Sequence, residues 1–235
     1  MTTTSTSISP QAVGKLVRRA AGAFIARVQS GYLKDNSSAV ALLAQLRRGA
    51  GKLPADMPEL WGMTGTEGFY RAVEQAFPDN DLPERLAERA ETALFLAVTL
   101  YALHQQSHDK EPMHKPDVEL GRAVRQLMPP GEIDEPLRHR FVRAGTAQSV
   151  DVLAYRLREI ISLLRRGAQR RNRRESIPLD YALLAEQLYW FGDPDGARRV
   201  RQRWGRSFHA YRSEPADETT PADPASDTDD TRETE

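Results

Sequence analysis

The chain has 235 residues, no cysteine and a formal net charge of zero. The absence of cysteine excludes disulfides, thiolate metal sites and a catalytic thiol, and it fits a cytoplasmic protein. The zero charge hides two unlike parts: residues 214–235 hold nine acidic residues and one arginine, whereas residues 1–213 hold 32 basic and 24 acidic residues. A body with this excess of arginine indicates a protein that binds a polyanion, usually nucleic acid.

Apolar residues recur with helical spacing through nearly the whole body of the chain. In the first half this spacing predicts a helix over 10–30, with Ser9 as N-cap and Gly31 as stop, and further helices over 36–46, 66–77 and 83–106. Asn36, Ser37 and Ser38 supply the cap of the second helix, and Pro54 to Trp61 forms a short helical turn at most. The run 93–103 is too short for a membrane span and is typical of a buried helix.

The second half continues the helical pattern. Asp117 is expected to cap a helix through Leu127, and Ser149 is expected to cap a long helix through Leu164. Further helices are predicted over 135–145, 180–190 and 194–211. Because no segment alternates with a period of two residues, the predicted fold class is all-α, a two-lobed helical bundle with no significant sheet.

Composition divides the chain into five predicted segments. A polar stretch with two prolines, near residues 107–116, is the best internal boundary. The predicted segments are a flexible N-terminus (1–9), an N-terminal helical lobe (10–107), a linker (108–116), a C-terminal helical lobe (117–213) and a disordered acidic tail (214–235).

Three patterns suggest an enzyme, and each has a simpler interpretation. His104 and His108 are one helical turn apart and could share a metal, but they lie near a helix end and lack an HExxH motif. Asp180 could act as a general acid or base, but it stands where an N-cap belongs. The stretch 49–52 lacks the spacing of a phosphate loop. We therefore expect no enzymatic activity, no metal, no cofactor and no small-molecule substrate.

The arginine clusters are the stronger signal. The residues predicted to contact nucleic acid form three groups: Arg47, Arg48 and Lys52; Arg138, Arg140 and Arg143; and Arg165, Arg166, Arg170, Arg171, Arg173 and Arg174. Such groups neutralise phosphates without reading bases. The alternative is a set of solvated helix faces in which some arginines complement helix C-terminal dipoles. Aromatic residues near 189–191, with Trp204 and Phe208, could stack on bases, but their helical spacing favours a buried core.

Six short motifs together resemble a known family. In chain order they are Leu46-Arg47-Arg48-Gly49-Ala50-Gly51, Leu100-Tyr101-Ala102-Leu103-His104-Gln105, Arg138-His139-Arg140-Phe141, Leu157-Arg158, Ile177-Pro178-Leu179-Asp180-Tyr181 and the run from Val200 to Phe208. This ordered set is similar to the CasB family, the small subunit of the type I-E CRISPR Cascade surveillance complex. The resemblance covers residues 13–211, so the N-terminus and the acidic tail fall outside it.

The resemblance implies an all-helical, non-catalytic subunit inside a ribonucleoprotein. The implied partners are the backbone and large subunits of Cascade, a second copy of the chain, crRNA and target DNA, with no membrane. In that setting the arginines would stabilise the R-loop and the displaced strand. This role agrees with arginine clusters that contact phosphates without reading bases. The rival hypothesis is a purely structural adaptor whose arginine clusters contact acidic protein partners.

Overall fold

The computed structural model describes residues 8–170 and 173–211. Within these ranges the helices are α1 (Pro10–Leu33), α2 (Ser37–Leu46), α3 (Thr66–Ala76), α4 (Glu84–Gln105), α5 (Leu120–Leu127), α6 (Glu135–Gly145), α7 (Val150–Arg166), α8 (Tyr181–Phe191) and α9 (Pro194–Ala210). Three short 3-10 turns, Arg47–Gly49, Pro54–Asp56 and Pro58–Leu60, connect α2 to α3. The all-α prediction is confirmed. Residues 1–7 of the predicted flexible N-terminus (1–9) and the whole acidic tail lie outside the described residues.

A short hairpin holds the two strands found in the described ranges. Strands β1 (Ala168–Arg170) and β2 (Arg173–Glu175) pair antiparallel, with Ala168 opposite Glu175. The hairpin follows Gly167, which ends α7 with a φ of 69°. The two strands have only three residues each, whereas these ranges contain nine α-helices, so the fold class is unchanged.

Helix α8 joins the two halves of the chain. It packs against α1 and α4, so a helix from the predicted C-terminal lobe lies against the N-terminal one. Tyr181, at its start, is fully buried, and its hydroxyl lies 2.8 Å from Nδ1 of His104 on α4. The apolar core therefore runs continuously through both halves, and the division into two lobes stays a prediction.

The segment between the two halves is held by polar contacts. The His114 amide donates to Oε1 of Gln29 over 2.8 Å, and the Leu179 amide donates to the Met113 carbonyl over 3.0 Å. Met113 and His114 are both buried. The predicted linker is thus an anchored connection between α1 and the start of α8.

Some predicted helix ends are right and others are wrong. Asn36 and Asp180 are N-caps, each accepting a backbone N–H through its side chain. Asp117 does not cap α5, because it adopts a positive φ of 64° and the helix begins three residues later, after Glu119. Gly31 does not stop α1, which continues to Leu33. A Cβ built at Gly31 would lie 2.9 Å from Cβ of Ala39, so this glycine permits close approach of α2.

Candidate nucleic-acid interface

The first predicted group lies on a tight turn after α2. We call residues 47–52 the basic turn, since they include Arg47, Arg48 and Lys52. A Cβ built at Gly49 would lie 2.7 Å from Cδ1 of Leu60 and 2.9 Å from Phe95, so only glycine lets the turn sit this close to α4. This close packing fixes the backbone from which the three cations project.

A fourth cation joins the basic turn from α7. A Cβ built at Gly51 would lie 2.8 Å from Cδ of Arg158, so the methylene chain of this arginine covers the glycine. Gly51 has a φ of 80°, a conformation that glycine adopts without strain. The sequence prediction of site residues missed Arg158, although the Leu157-Arg158 motif of the family resemblance contains it.

Carboxylates compensate this group only weakly. Arg48 pairs with Glu59 at 3.4 Å, and both side chains are largely exposed, so solvent screens the pair. Nζ of Lys52 lies 3.3 Å from Sδ of Met57, and among the described residues it pairs with no carboxylate. Within the described ranges neither Arg47 nor Arg158 forms an ion pair. The basic turn and Arg158 together form a net positive surface.

The second predicted group is partly used by the fold. Arg138 pairs with Glu135 at 2.7 Å, while Arg140 and Arg143 are exposed. The last carbonyls of α6 receive guanidinium groups from other helices: Arg156 donates to the Arg143 carbonyl, and Nε of Arg201 donates to the Gly145 carbonyl over 2.6 Å. We call Arg143, Gly145, Arg156 and Arg201 the α6 end. Here two arginines complement the helix C-terminus, as the alternative interpretation of the clusters anticipated.

The structure does not bring the first two groups onto one side of α7. Arg156 and Arg158 are two residues apart, which places them about 200° apart around a helix. Arg156 contacts α6, whereas Arg158 covers Gly51. The basic turn and the α6 end therefore contact opposite sides of α7.

The third group begins at the end of α7. Arg165 follows Arg158 by seven residues and so shares its side of the helix. Its side chain is half-buried, and Nε is buried without a hydrogen-bond partner in the described part of the chain. Arg166 is exposed. Arg170, Arg173 and Arg174 belong to the hairpin backbone, and Arg171 lies outside the described residues.

The comparisons with known proteins agree with one another. The family model of the CRISPR-associated protein Cse2 matches residues 42–209. The crystal structure of CasB from Thermobifida fusca is 47% identical, with a TM-score of 0.69 over 86% of this chain and 99% of that one. The chain belongs to the Cse2 family of CRISPR-associated proteins. The sequence-based resemblance to CasB is thereby confirmed.

Two more distant structures resemble this Cse2-family chain. One chain of a CRISPR RNA-guided surveillance complex is 19% identical with a TM-score of 0.56, covering 83% of this chain and 96% of that one, and it shares the fold. A Cse2-family protein from Thermus thermophilus is 22% identical with a TM-score of 0.48, covering 80% and 98% of the two chains. No curated protein sequence matches the chain.

The two histidines of the suggested metal site serve the fold of the Cse2-family chain. His104 is buried against Tyr181, and burial lowers its pKa to about 3, with the neighbouring His108 adding to the effect. Nε2 of His108 lies 2.9 Å from the Arg165 carbonyl. In the described part of the chain, no three histidine or carboxylate side chains are grouped as metal ligands.

The aromatic residues singled out for stacking lie in the core. Tyr189, Phe191, Trp204 and Phe208 are buried, and Trp190 is half-buried. Phe208 stacks on Phe141 of α6, with ring centroids 5.4 Å apart. The prediction that these rings form the core is confirmed. None of the helices in the described ranges is long and apolar enough to cross a membrane.

Proposed function

We propose that this Cse2-family chain is a non-catalytic subunit of a type I-E CRISPR ribonucleoprotein, Cascade. It binds nucleic acid without sequence preference and stabilises the R-loop between crRNA and target DNA, together with the displaced strand. Its partners are the backbone and large subunits, a second copy of the chain, crRNA and target DNA. The surveillance complex with the same fold and the family membership support this assignment.

The single observation that carries the proposal is the uncompensated charge at the basic turn. Three cationic residues lie on this turn and the methylene chain of a fourth, Arg158, covers it, and the one carboxylate paired with them among the described residues, Glu59, is itself exposed. Backbone phosphates are the partner that such a surface fits, because binding them releases counterions and needs no base readout. In an R-loop, where strand exchange is nearly balanced, a few such contacts shift the equilibrium.

A salt titration of the free chain tests this proposal. Affinity for single-stranded DNA, duplex DNA and RNA is measured between about 50 and 300 mM salt. Four phosphate contacts predict a slope of log K against log salt near −3.6 for duplex DNA and near −2.8 for single strands. Binding that does not change with salt, or no binding at 50 mM, would contradict it.

The adaptor hypothesis draws support from exposed apolar side chains in the second half of the chain. Ile133, Val142 and Tyr155 are large side chains that remain 44%, 45% and 58% exposed, and Val142 lies on α6 between Arg140 and Arg143. Exposed apolar groups rimmed by charge are typical of protein contacts. If the free chain binds no nucleic acid but Val142→Asp prevents its assembly with the other subunits, the adaptor hypothesis is the better one.

A further inference from the structure

Trp61 carries a large exposed ring on a loop that is otherwise anchored in the core. The residue is 66% exposed, more than any other large hydrophobic residue in the described ranges. Its loop neighbours Met57 and Leu60 are only 4% and 1% exposed. Tryptophan side chains are on average highly buried in folded proteins. The loop is therefore held in place while its largest side chain faces solvent.

The ring is also held in one orientation. Its Nε1–H donates to the Pro54 carbonyl over 2.8 Å. This bond ties the end of the turn Pro58–Leu60 to the start of the turn Pro54–Asp56. This bond satisfies the only polar group of the indole, so its faces can contact an apolar surface without leaving a donor unpaired. The space beside the next residue is open, since a Cβ built at Gly62 meets no atom within 4 Å.

Three contacts tie this loop to the basic turn. Leu60 packs on Gly49, Glu59 pairs with Arg48 at 3.4 Å, and Met57 receives Nζ of Lys52 at 3.3 Å. Trp61 thus directly follows Leu60, which touches the backbone of the turn. It lies two residues after Glu59, which pairs with one of the turn's cations. Two of these contacts, at Arg48 and Lys52, are made with cations, which attract phosphates.

We propose that Trp61 is a stacking platform for an unpaired nucleotide base whose phosphates lie on the basic turn. The combination of a cationic track and an adjacent aromatic face is how proteins hold single strands without reading sequence. A duplex keeps its bases stacked inside and cannot use the ring. The inference rests on the proposed function and deepens it, because it names the single strand as the ligand of this site.

Intrinsic fluorescence and affinity test the platform together. The chain has three tryptophans, of which Trp204 is buried and Trp190 half-buried. We expect a single-stranded thymidine oligonucleotide to quench the full chain, and Trp61→Phe to abolish most of this quenching while retaining most of the affinity. Trp61→Ala should weaken single-strand binding about ten-fold, in the range measured for one stacked base. Affinity for duplex DNA should change less than two-fold.

Tyr70→Ala is the matched control. Tyr70 is 40% exposed, but its hydroxyl donates to Glu91 over 2.5 Å, so the ring lies beside a carboxylate that repels phosphate. We expect this variant to bind both DNA forms as the unaltered chain does. Urea unfolding of all three variants verifies that the exposed substitutions leave the fold intact.

The outcomes separate this inference from the proposed function. If the unaltered chain binds single strands and Trp61→Ala binds them equally well, the platform is refuted and the proposed function stands. Equal losses on single strands and duplex would also refute it, because stacking requires an unpaired base. If the unaltered chain binds no nucleic acid, both are refuted, and loss of subunit association in Trp61→Ala would then assign the ring to a protein interface.

Discussion

The basic turn together with Arg158, and the α6 end, each contain three arginines but use them differently. At the α6 end, the guanidinium groups of Arg156 and Arg201 donate to the last carbonyls of a helix. At the basic turn, Arg47, Lys52 and Arg158 have no carboxylate partner among the described residues. A guanidinium bound to a helix carbonyl keeps its charge and its other N–H donors, but this bond fixes its position, whereas an unbound side chain can move to meet a phosphate without losing a bond.

This difference shows that arginine density alone does not locate an interface. Residues 138–174 hold eleven arginines, more than any other part of the chain of similar length, yet Arg138 pairs with Glu135 and Arg156 bonds a helix carbonyl. The four cations at the basic turn come from two segments more than a hundred residues apart in sequence. We therefore propose that the main phosphate-binding surface lies at the basic turn and Arg158.

The largest expected effect comes from neutralising the basic turn. The triple variant Arg47→Gln, Arg48→Gln and Arg158→Gln should bind single-stranded DNA about a hundred-fold more weakly at 0.1 M salt, because three phosphate contacts are lost. The slope of log K against log salt should flatten by about 2. A filter-binding or anisotropy titration at several salt concentrations measures both quantities.

Three paired arginines supply a control of equal charge. Arg71, Arg85 and Arg198 are exposed and pair with Glu67, Asp193 and Asp195. Changing these three to Gln removes the same formal charge but should alter affinity only a few-fold. Equal losses in the two triple variants would mean that net charge, and not the basic turn, determines binding.

Gly51→Ala should disturb the same surface through the backbone. Alanine is strained at a φ of 80°, and its Cβ would lie 2.8 Å from the side chain of Arg158. We expect the free energy of unfolding to fall by about 1–2 kcal/mol. Affinity for single strands should fall several-fold, because Arg158 is displaced.

Gly145→Ala is its counterpart at the α6 end. Gly145 has open space around it and lies within the helix. The substitution should not lower stability, and it should leave affinity unchanged. Unfolding in urea and the same binding titration measure both. If Gly51→Ala left affinity unchanged despite its cost in stability, Arg158 would not belong to the interface.

At the α6 end we expect a change in stability with little change in binding. Arg156→Gln combined with Arg201→Gln removes two hydrogen bonds to helix carbonyls, so the free energy of unfolding should fall by about 1–2 kcal/mol. Affinity for nucleic acid should change less than three-fold. A large loss of affinity with unchanged stability would instead indicate that the α6 end binds the phosphates.

The sequence predicts the helices well because their apolar spacing and caps are local signals. Asn36 and Asp180 were identified as caps from residue type and position, and the structure shows the corresponding hydrogen bonds. The assignments of Asp117 and Gly31 are wrong because contacts with other elements decide the roles of these two residues. The Asp117 amide donates to the Asp180 carboxylate over 3.1 Å, and Gly31 accommodates Ala39.

The site is harder to predict than the fold because its residues meet only through tertiary packing. The sequence identified Arg47, Arg48 and Lys52, which are neighbours along the chain. It could not show that Arg158 covers Gly51, nor that Arg156 is occupied by α6. Trp61 was also overlooked, since periodicity identifies buried aromatics and has no signal for an exposed ring on an irregular loop.

The smallest expected effect concerns the acidic tail, which lies outside the described residues. Residues 214–235 carry a net charge of −8, opposite to that of the remaining chain. A tethered segment competes at a high effective concentration, so it can occupy a cationic surface that a free peptide would not. Truncation after Ser213 should therefore tighten binding of single-stranded DNA a few-fold at 50 mM salt, and salt near 0.3 M should remove the difference.

A variant whose tail keeps its length but loses its negative charge separates the effect of charge from the effect of bulk. In this variant the nine acidic residues are replaced by Asn and Gln, and we expect it to bind as tightly as the truncated chain does. If the uncharged tail behaves like the native one, bulk accounts for any gain on truncation. If truncation itself leaves affinity unchanged, the tail does not reach the cationic surfaces and serves solubility.

If the tail competed only at the α6 end, its removal would tighten binding of the triple basic-turn variant as much as that of the unaltered chain. We expect a smaller gain in that variant, because the tail and the nucleic acid would compete for the same unpaired cations.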